Sequence, residues 1–132
     1  MKLLFDHNIS PKVARANHEL VKDRGFEATP LRDRFPPDAS DRAWISELCR
    51  EGGWAVISGD RSITRNRAER AAWLQTDLVG FFLEPSLARL EPLAQTSRLI
   101  LWLPVIEKQL EIITGPALFA LPYHATSKLR EI

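Results

Sequence analysis

The order of residues predicts an α/β protein, a parallel sheet with helices on its faces. Three observations point there. The runs Lys2–Phe5, Trp54–Ser58 and Leu78–Leu83 are apolar without polar alternation, as expected of strands covered on both sides. The segments between them carry helix caps and apolar residues at helical spacing. Strand and helix signals then alternate along the chain, the pattern of a layered α/β architecture.

Each element follows from local chemistry. The first strand ends in Asp6. Ser10-Pro11 supplies a capping hydroxyl and a proline at the first helical position. Val13, Ala14, Leu20 and Val21 form that helix's apolar side, and Gly25 is placed to end it. Phe26 to Leu31 is a second strand, weakened by Pro30, and Arg32 to Pro37 is a loop. A second helix begins near Ser40, presents Trp44, Ile45, Leu48 and Cys49 on one side, and stops at Gly52-Gly53. The strand Trp54–Ser58 leads into Gly59-Asp60, and the basic segment Arg61 to Arg70 enters a third helix running to about Leu74. After the strand Leu78–Leu83, the segment from Leu87 to Leu110 is helical, interrupted or kinked at Pro92 and Pro104. Ala117 to Leu121 is a last strand with a polar tail. Residues 1–132 read as one domain, with 84–132 a mostly helical C-terminal portion packed on it.

Composition narrows the function classes. The 132 residues are 45% hydrophobic and 27% charged, which excludes bulk disorder. A net charge of +1 excludes a uniformly basic surface. The lone Cys49 forbids an internal disulfide and Cys–His metal clusters. His7, His18 and His124 have no ligand spacing. The opening apolar stretch is too short for a signal peptide, and the run Leu99 to Ile106, broken by Pro104, is far too short to span a bilayer. The expectation is a cytoplasmic protein without membrane attachment.

The candidate chemistry lies in the aspartates. Parallel strands end on one edge of the sheet, and each following helix starts from that edge. Asp6 closes the first strand, Asp60 the third, and Asp41 opens the helix leading to that third strand. All three therefore belong to the carboxyl edge, where open α/β proteins build their sites. Asp41 also extends the stripe of Trp44, Ile45 and Leu48, so its side chain is expected to lean toward the sheet edge. Converging carboxylates repel one another unless a cation neutralises them, and hard oxygen donors suit Mg²⁺ or Mn²⁺. Each aspartate also has an ordinary explanation as a turn or helix-start residue. Three separate loops presenting Asp at one edge is harder to explain that way. Asn8 either orients Asp6, meets substrate or caps the first helix; Asp38 either supports the site or caps the second helix; Ser58 bonds an aspartate or satisfies a strand-end backbone group. Arg61, Arg65, Arg67 and Arg70 follow Asp60 and are candidate phosphate contacts, with Arg32 and Arg34 a weaker set on the same edge. The very apolar helix around Leu99–Ile106 is either covered all round or meets a partner.

The segments MKLLFDHN and RDRFPPDASDRAWISELCREGGWAVISGD resemble the PIN-like domains of short VapC-type toxins. Those open with an apolar strand into Asp-x-Asn, carry a Ser/Pro-Asp helix start, and end the next strand in [Ser/Thr]-x-Asp. The matching positions are Asp6 and Asn8, Asp41, and Ser58-Gly59-Asp60, within about residues 1–83. The resemblance implies a three-layer α/β/α sandwich with a mostly parallel central sheet, and an acidic pocket for one or two Mg²⁺ or Mn²⁺ ions held by Asp6, Asp41 and Asp60. It also implies endoribonuclease activity on RNA and a cognate antitoxin protein; a homodimer is a further expected partner. The larger members' additional acid has no clear equivalent, Asp38, Asp33, Glu69 and Glu84 being the nearest. That departure leaves a catalytically weak or inactive RNA- or protein-binding module as the alternative. A phosphoacceptor domain is disfavoured, because His7 rather than an acid follows Asp6 and no Lys occurs between Lys22 and Lys108.

Overall fold

Four apolar segments and the mixed segment Glu27–Pro30, all too short for stable helices, pair as parallel strands. The computed structural model describes all residues, Met1–Ile132. The strands are β1 (Lys2–Phe5), β2 (Glu27–Pro30), β3 (Trp54–Ser58), β4 (Val79–Leu83), β5 (Ala117–Leu121) and β6 (Arg130–Glu131). They form one sheet in the order β2-β1-β3-β4-β5-β6, parallel except for β6 against β5. The helices are α1 (Pro11–Val21), α2 (Asp41–Glu51), α3 (Ser62–Arg65), α4 (Arg67–Trp73), α5 (Pro85–Ala88) and α6 (Pro92–Ile112). The protein is thus α/β with helices on both faces of a mostly parallel sheet, as expected. No helix is long and apolar enough to cross a membrane.

Alternation along each strand divides the core into two layers. Leu3, Phe5, Ala55, Ile57, Phe81 and Phe119 meet Val13 and Ala14 of α1 and Leu99, Trp102 and Ile106 of α6. Leu4, Val56, Phe82 and Leu118 meet Trp44 and Leu48 of α2, Ile63 of α3 and Trp73 of α4. The steps from β3 to β4 and from β4 to β5 run the same way along the sheet, yet α4 and α6 lie on opposite faces. These two crossovers therefore have opposite hand, an uncommon arrangement in parallel sheets. Its consequence is local to the carboxyl edge. The chain leaving β3 turns to one face, while its neighbours leaving β1 and β4 turn to the other.

The capping hydroxyls act as anticipated. Ser10 Oγ accepts from Lys12 N, and Ser40 Oγ accepts from Ala43 N at 3.1 Å. Gly25 adopts φ +78° after a short 3₁₀ turn, Lys22–Arg24, and ends the first helical segment. Several expectations require correction. Leu20 lies on the solvent side of α1, 56% exposed, because the helix turns Asn17 and Val21 inward instead. The expected third helix is two, broken at Asn66, whose side chain accepts from Ala68 N and Glu69 N and so starts α4 afresh. Pro92 does not interrupt a helix but opens α6 at its first turn. Pro104 sits inside α6 without ending it; the proline is exposed, so its ring lies on the solvent side. The polar tail contributes β6, anchored where Ile132 N donates to Leu118 O and Arg70 Nη2 donates to Ile132 O.

Candidate active site at the carboxyl edge

In the order β2-β1-β3-β4-β5, connections diverge between β1 and β3, which opens a crevice beyond the carboxyl ends of those two strands. Asp6 and Asp60 stand on its two sides because each directly follows or nearly follows its strand. Asp6 is 5% exposed. Its Oδ1 accepts from His7 N at 2.7 Å and lies 3.1 Å from His7 Nδ1. Its Oδ2 accepts from Ser58 Oγ at 3.0 Å. Burial holds the Asp6 carboxyl above its ordinary range, the His7 and Ser58 donors pull it back, and the Asp41 charge adds to the rise.

Ser58 is fully buried and links the two sides of the crevice. Besides donating to Asp6, its Oγ accepts from Asp60 N at 3.0 Å. Asn8 makes a second link, its Oδ1 accepting from Gly59 N at 3.0 Å. Asn8 therefore does not cap α1, a role taken by Ser10; it ties the loop after β1 to the loop after β3. Asp60 Oδ1 accepts from Ser62 N at 2.8 Å, a turn that carries the chain into α3. Asp41, an exposed residue, accepts on Oδ1 from Trp44 Nε1 at 3.0 Å. In Asp41 and Asp60 one carboxylate oxygen is thus built into the scaffold and the other has no donor within the chain.

The structure brings Asp6 and Asp41 within reach of each other's charge and connects Asp6 to the Asp60 backbone through Ser58. It does not gather three His, Cys, Asp or Glu side chains closely enough to hold an ion. The donor chemistry nevertheless suits a hard divalent ion, since Mg²⁺ keeps several waters and is commonly held by one or two carboxylates. Asp6 and Asp41 are the two carboxylates whose charges act on each other, and Asp60 stands across the crevice.

The remaining candidates separate clearly. Asp38 is exposed and does not cap α2, whose cap is Ser40. Asp33 pairs with Arg15 at 3.1 Å, and Glu84 pairs with Arg130 at 3.3 Å. Arg61, Arg65 and Arg67 join no ion pair within the chain, and the Arg61 Nε is buried without an acceptor. Arg70 leaves that set, because it is committed to the Ile132 carbonyl. Arg34, of the weaker set, does not serve this edge: it pairs with Glu51 and lies over the Trp54 ring, at the opposite edge where α2 ends and β3 begins. Cys49 is half-buried, and burial pushes its thiol up, consistent with an unreactive cysteine. Sequence reasoning did not find the groove of about 650 Å³ between α2 and α4, which Asp41, Ile45, Cys49, Glu69, Trp73 and Asp77 help to line. Its only sequence signal was Asp41 at the head of the apolar stripe of α2; Glu69 and Asp77 join it only through the fold.

A family model described as "PIN like domain" matches residues 1–85. Neither the curated proteins nor the solved structures searched contain a match.

Proposed function

The chain belongs to the PIN-like domain family, and from that premise we propose that it is a Mg²⁺- or Mn²⁺-dependent endoribonuclease, the cytoplasmic toxin of a toxin–antitoxin pair. The family's fold is of the nuclease type. The observation that carries the reading is Asp6: a buried carboxylate held above its ordinary pKa beside Asp41, in the crevice between β1 and β3. A cation there offsets the cost of burying the Asp6 charge and, to a smaller extent, the repulsion from Asp41. Asp6 and Asp41 would hold the ion, with Asp60 completing the set from the other side.

When bound, such an ion supplies Lewis acidity toward a water and a phosphate oxygen. The chain's own residues do the rest. Ser58 fixes the Asp6 carboxylate and the Asp60 backbone with one hydroxyl. Asn8 holds Gly59, and through it the approach of Asp60 to the crevice. Arg61, Arg65 and Arg67, free of carboxylate partners, grip the phosphates flanking the scissile bond. The groove between α2 and α4, with Asp41, Glu69 and Asp77 against the single cation Arg42, suits a basic segment of an antitoxin. The exposed Leu93, Leu101 and Ile112 of α6 suit a homodimer.

The test is RNA cleavage by the purified chain with Mg²⁺ or Mn²⁺. Activity is expected in the parent and lost in Asp6→Asn and Asp60→Asn; two variants that cut as well as the parent refute the assignment. A second reading, a binding module without catalysis, is favoured by the lack of three gathered ion ligands. It predicts strongly salt-dependent RNA binding with no cutting under any divalent metal.

A further inference from the structure

The loop after β5 starts from the same carboxyl edge as Asp6 and Asp60, and it is anchored at three points. Trp102 Nε1 donates to Pro122 O at 3.0 Å, Ser127 N donates to His124 O, and Arg130 at the start of β6 reaches back to Glu84 at the end of β4. Between these anchors stand Tyr123, half-buried, and His124, exposed. Arg98 of α6 lies over the Tyr123 ring at 4.1 Å from its centre and donates to its hydroxyl at 3.0 Å. His124 meets the same ring edge-on at 4.8 Å. The guanidinium thus takes one face of the Tyr123 ring, and the Tyr123 ring in turn braces the exposed imidazole.

We infer that the exposed His124 ring, braced at 78° against the Tyr123 ring that Arg98 holds, is a stacking platform for an unpaired base of the RNA strand whose backbone passes the Asp6 crevice. The inference rests on the ribonuclease reading above. β5 is three strands from β1, so at roughly 4.8 Å per strand the platform lies about 14 Å along the edge from Asp6. Arg89, which ends the short helix after the intervening strand β4, is exposed and joins no ion pair. An acidic crevice repels an RNA backbone everywhere except at a bound ion, so the strand needs holding points beyond it. Aromatic faces meet that need because every base has a stackable face, and the guanidinium behind Tyr123 adds attraction for the strand.

The experiment is fluorescence anisotropy of end-labelled oligouridine with the full chain in EDTA, where metal-dependent cutting is suppressed. Tyr123→Leu and His124→Ala are expected to weaken binding roughly 5- to 150-fold, the range for one lost stacked base. Tyr123→Phe keeps the ring and is expected to bind like the parent. Thermal melts of each variant check folding. An abasic strand is expected to weaken the parent while leaving Tyr123→Leu unchanged. Parental binding in Tyr123→Leu, a loss in Tyr123→Phe equal to that in Tyr123→Leu, or no binding by the parent overturns the platform. Cleavage with Mn²⁺ separates the two ideas. Cutting by the parent with undisturbed binding in Tyr123→Leu removes the platform and leaves the nuclease. Ring-dependent binding without any cutting keeps the platform and removes the nuclease.

Discussion

Ser58→Ala tests the centre of the site most directly. The hydroxyl is fully buried, donates to Asp6 Oδ2 at 3.0 Å and accepts from Asp60 N at 3.0 Å. Removing it strands a buried carboxylate oxygen without a donor. A hydrogen bond to a charged group contributes about 1.5–3 kcal/mol, so a loss of about 2 kcal/mol is expected at neutral pH. With an unfolding entropy near 2.1 cal/mol/K per residue, that loss lowers Tm by roughly 7 °C in a 132-residue chain. The penalty also depends on pH, with a definite sign. Burial raises the folded Asp6 pKa above its ordinary 3.8, so the folded state binds the proton more tightly than the unfolded one. The protonated form's stability is fully present below about 3.8 and is lost as pH rises through the folded value. Ser58 is one of the donors opposing that rise, so the alanine variant loses more on ionisation than the parent does. Below the folded pKa the bond is neutral, and its loss costs about 1 kcal/mol. Urea unfolding at acid and at neutral pH reads the difference. A penalty equal at both pH values would mean that Ser58 does not act through the Asp6 charge, and the reasoning fails.

Three further outcomes follow from the same geometry. Mn²⁺ is expected to raise the Tm of the parent at neutral pH and to leave Asp6→Asn unmoved; equal shifts in both mean that the ion binds elsewhere. Asn8→Ala frees Gly59 N, and is expected to cost about 1 kcal/mol in stability while lowering RNA cleavage about tenfold, since a small misplacement at a site is felt more in rate than in folding. Gly80→Ala would place a Cβ 2.6 Å from a Phe82 ring carbon and 2.7 Å from a Trp73 ring carbon; a denaturation series is expected to show about 3 kcal/mol of destabilisation from overpacking, and a neutral result refutes the tight contact.

What the amino-acid order made legible is what short-range chemistry decides. The runs WAVIS and ALFAL are buried throughout, and both became strands within their expected bounds. The serine caps at 10 and 40 needed only their own neighbours. The edge position of Asp6 and Asp60 followed from strand order alone. Other features depend on partners distant in the chain. β6 is two exposed residues whose register is set by Leu118 and Arg70, so no local pattern marks it. Arg34 reads like any loop arginine until the fold presents Glu51 and the Trp54 ring to it. The break at Asn66 did carry a signal, since an asparagine three residues before Glu69 is a helix start; it was hidden inside a basic run that reads as one helix. Tyr123 and Arg98 are 25 residues apart and meet only because α6 runs back along the face that β5 then completes.

The crossover of opposite hand explains why the carboxyl edge has the charge pattern it does. If every connection after β1 had kept one hand, the exit from β4 would have followed the exit from β3 onto the α2–α4 face, crowding Asp60. Instead β4 leaves to the α1 face, where Ala88 of α5 approaches Gly59 while Asn8 bonds to it from the β1 side. Asp60 and the arginines of α3 and α4 then share the other face with α2 alone. Acid lines the crevice and unpaired cation lies just beyond it, on helices that begin where the crevice opens. On the proposed function, a polyanion crossing this edge would meet the arginines beyond β3 on one side and the loop after β5 on the other. Asp6, at the end of β1, lies outside that span, so a strand that reaches it runs on past Asp60 to the one carboxylate whose burial raises its pKa.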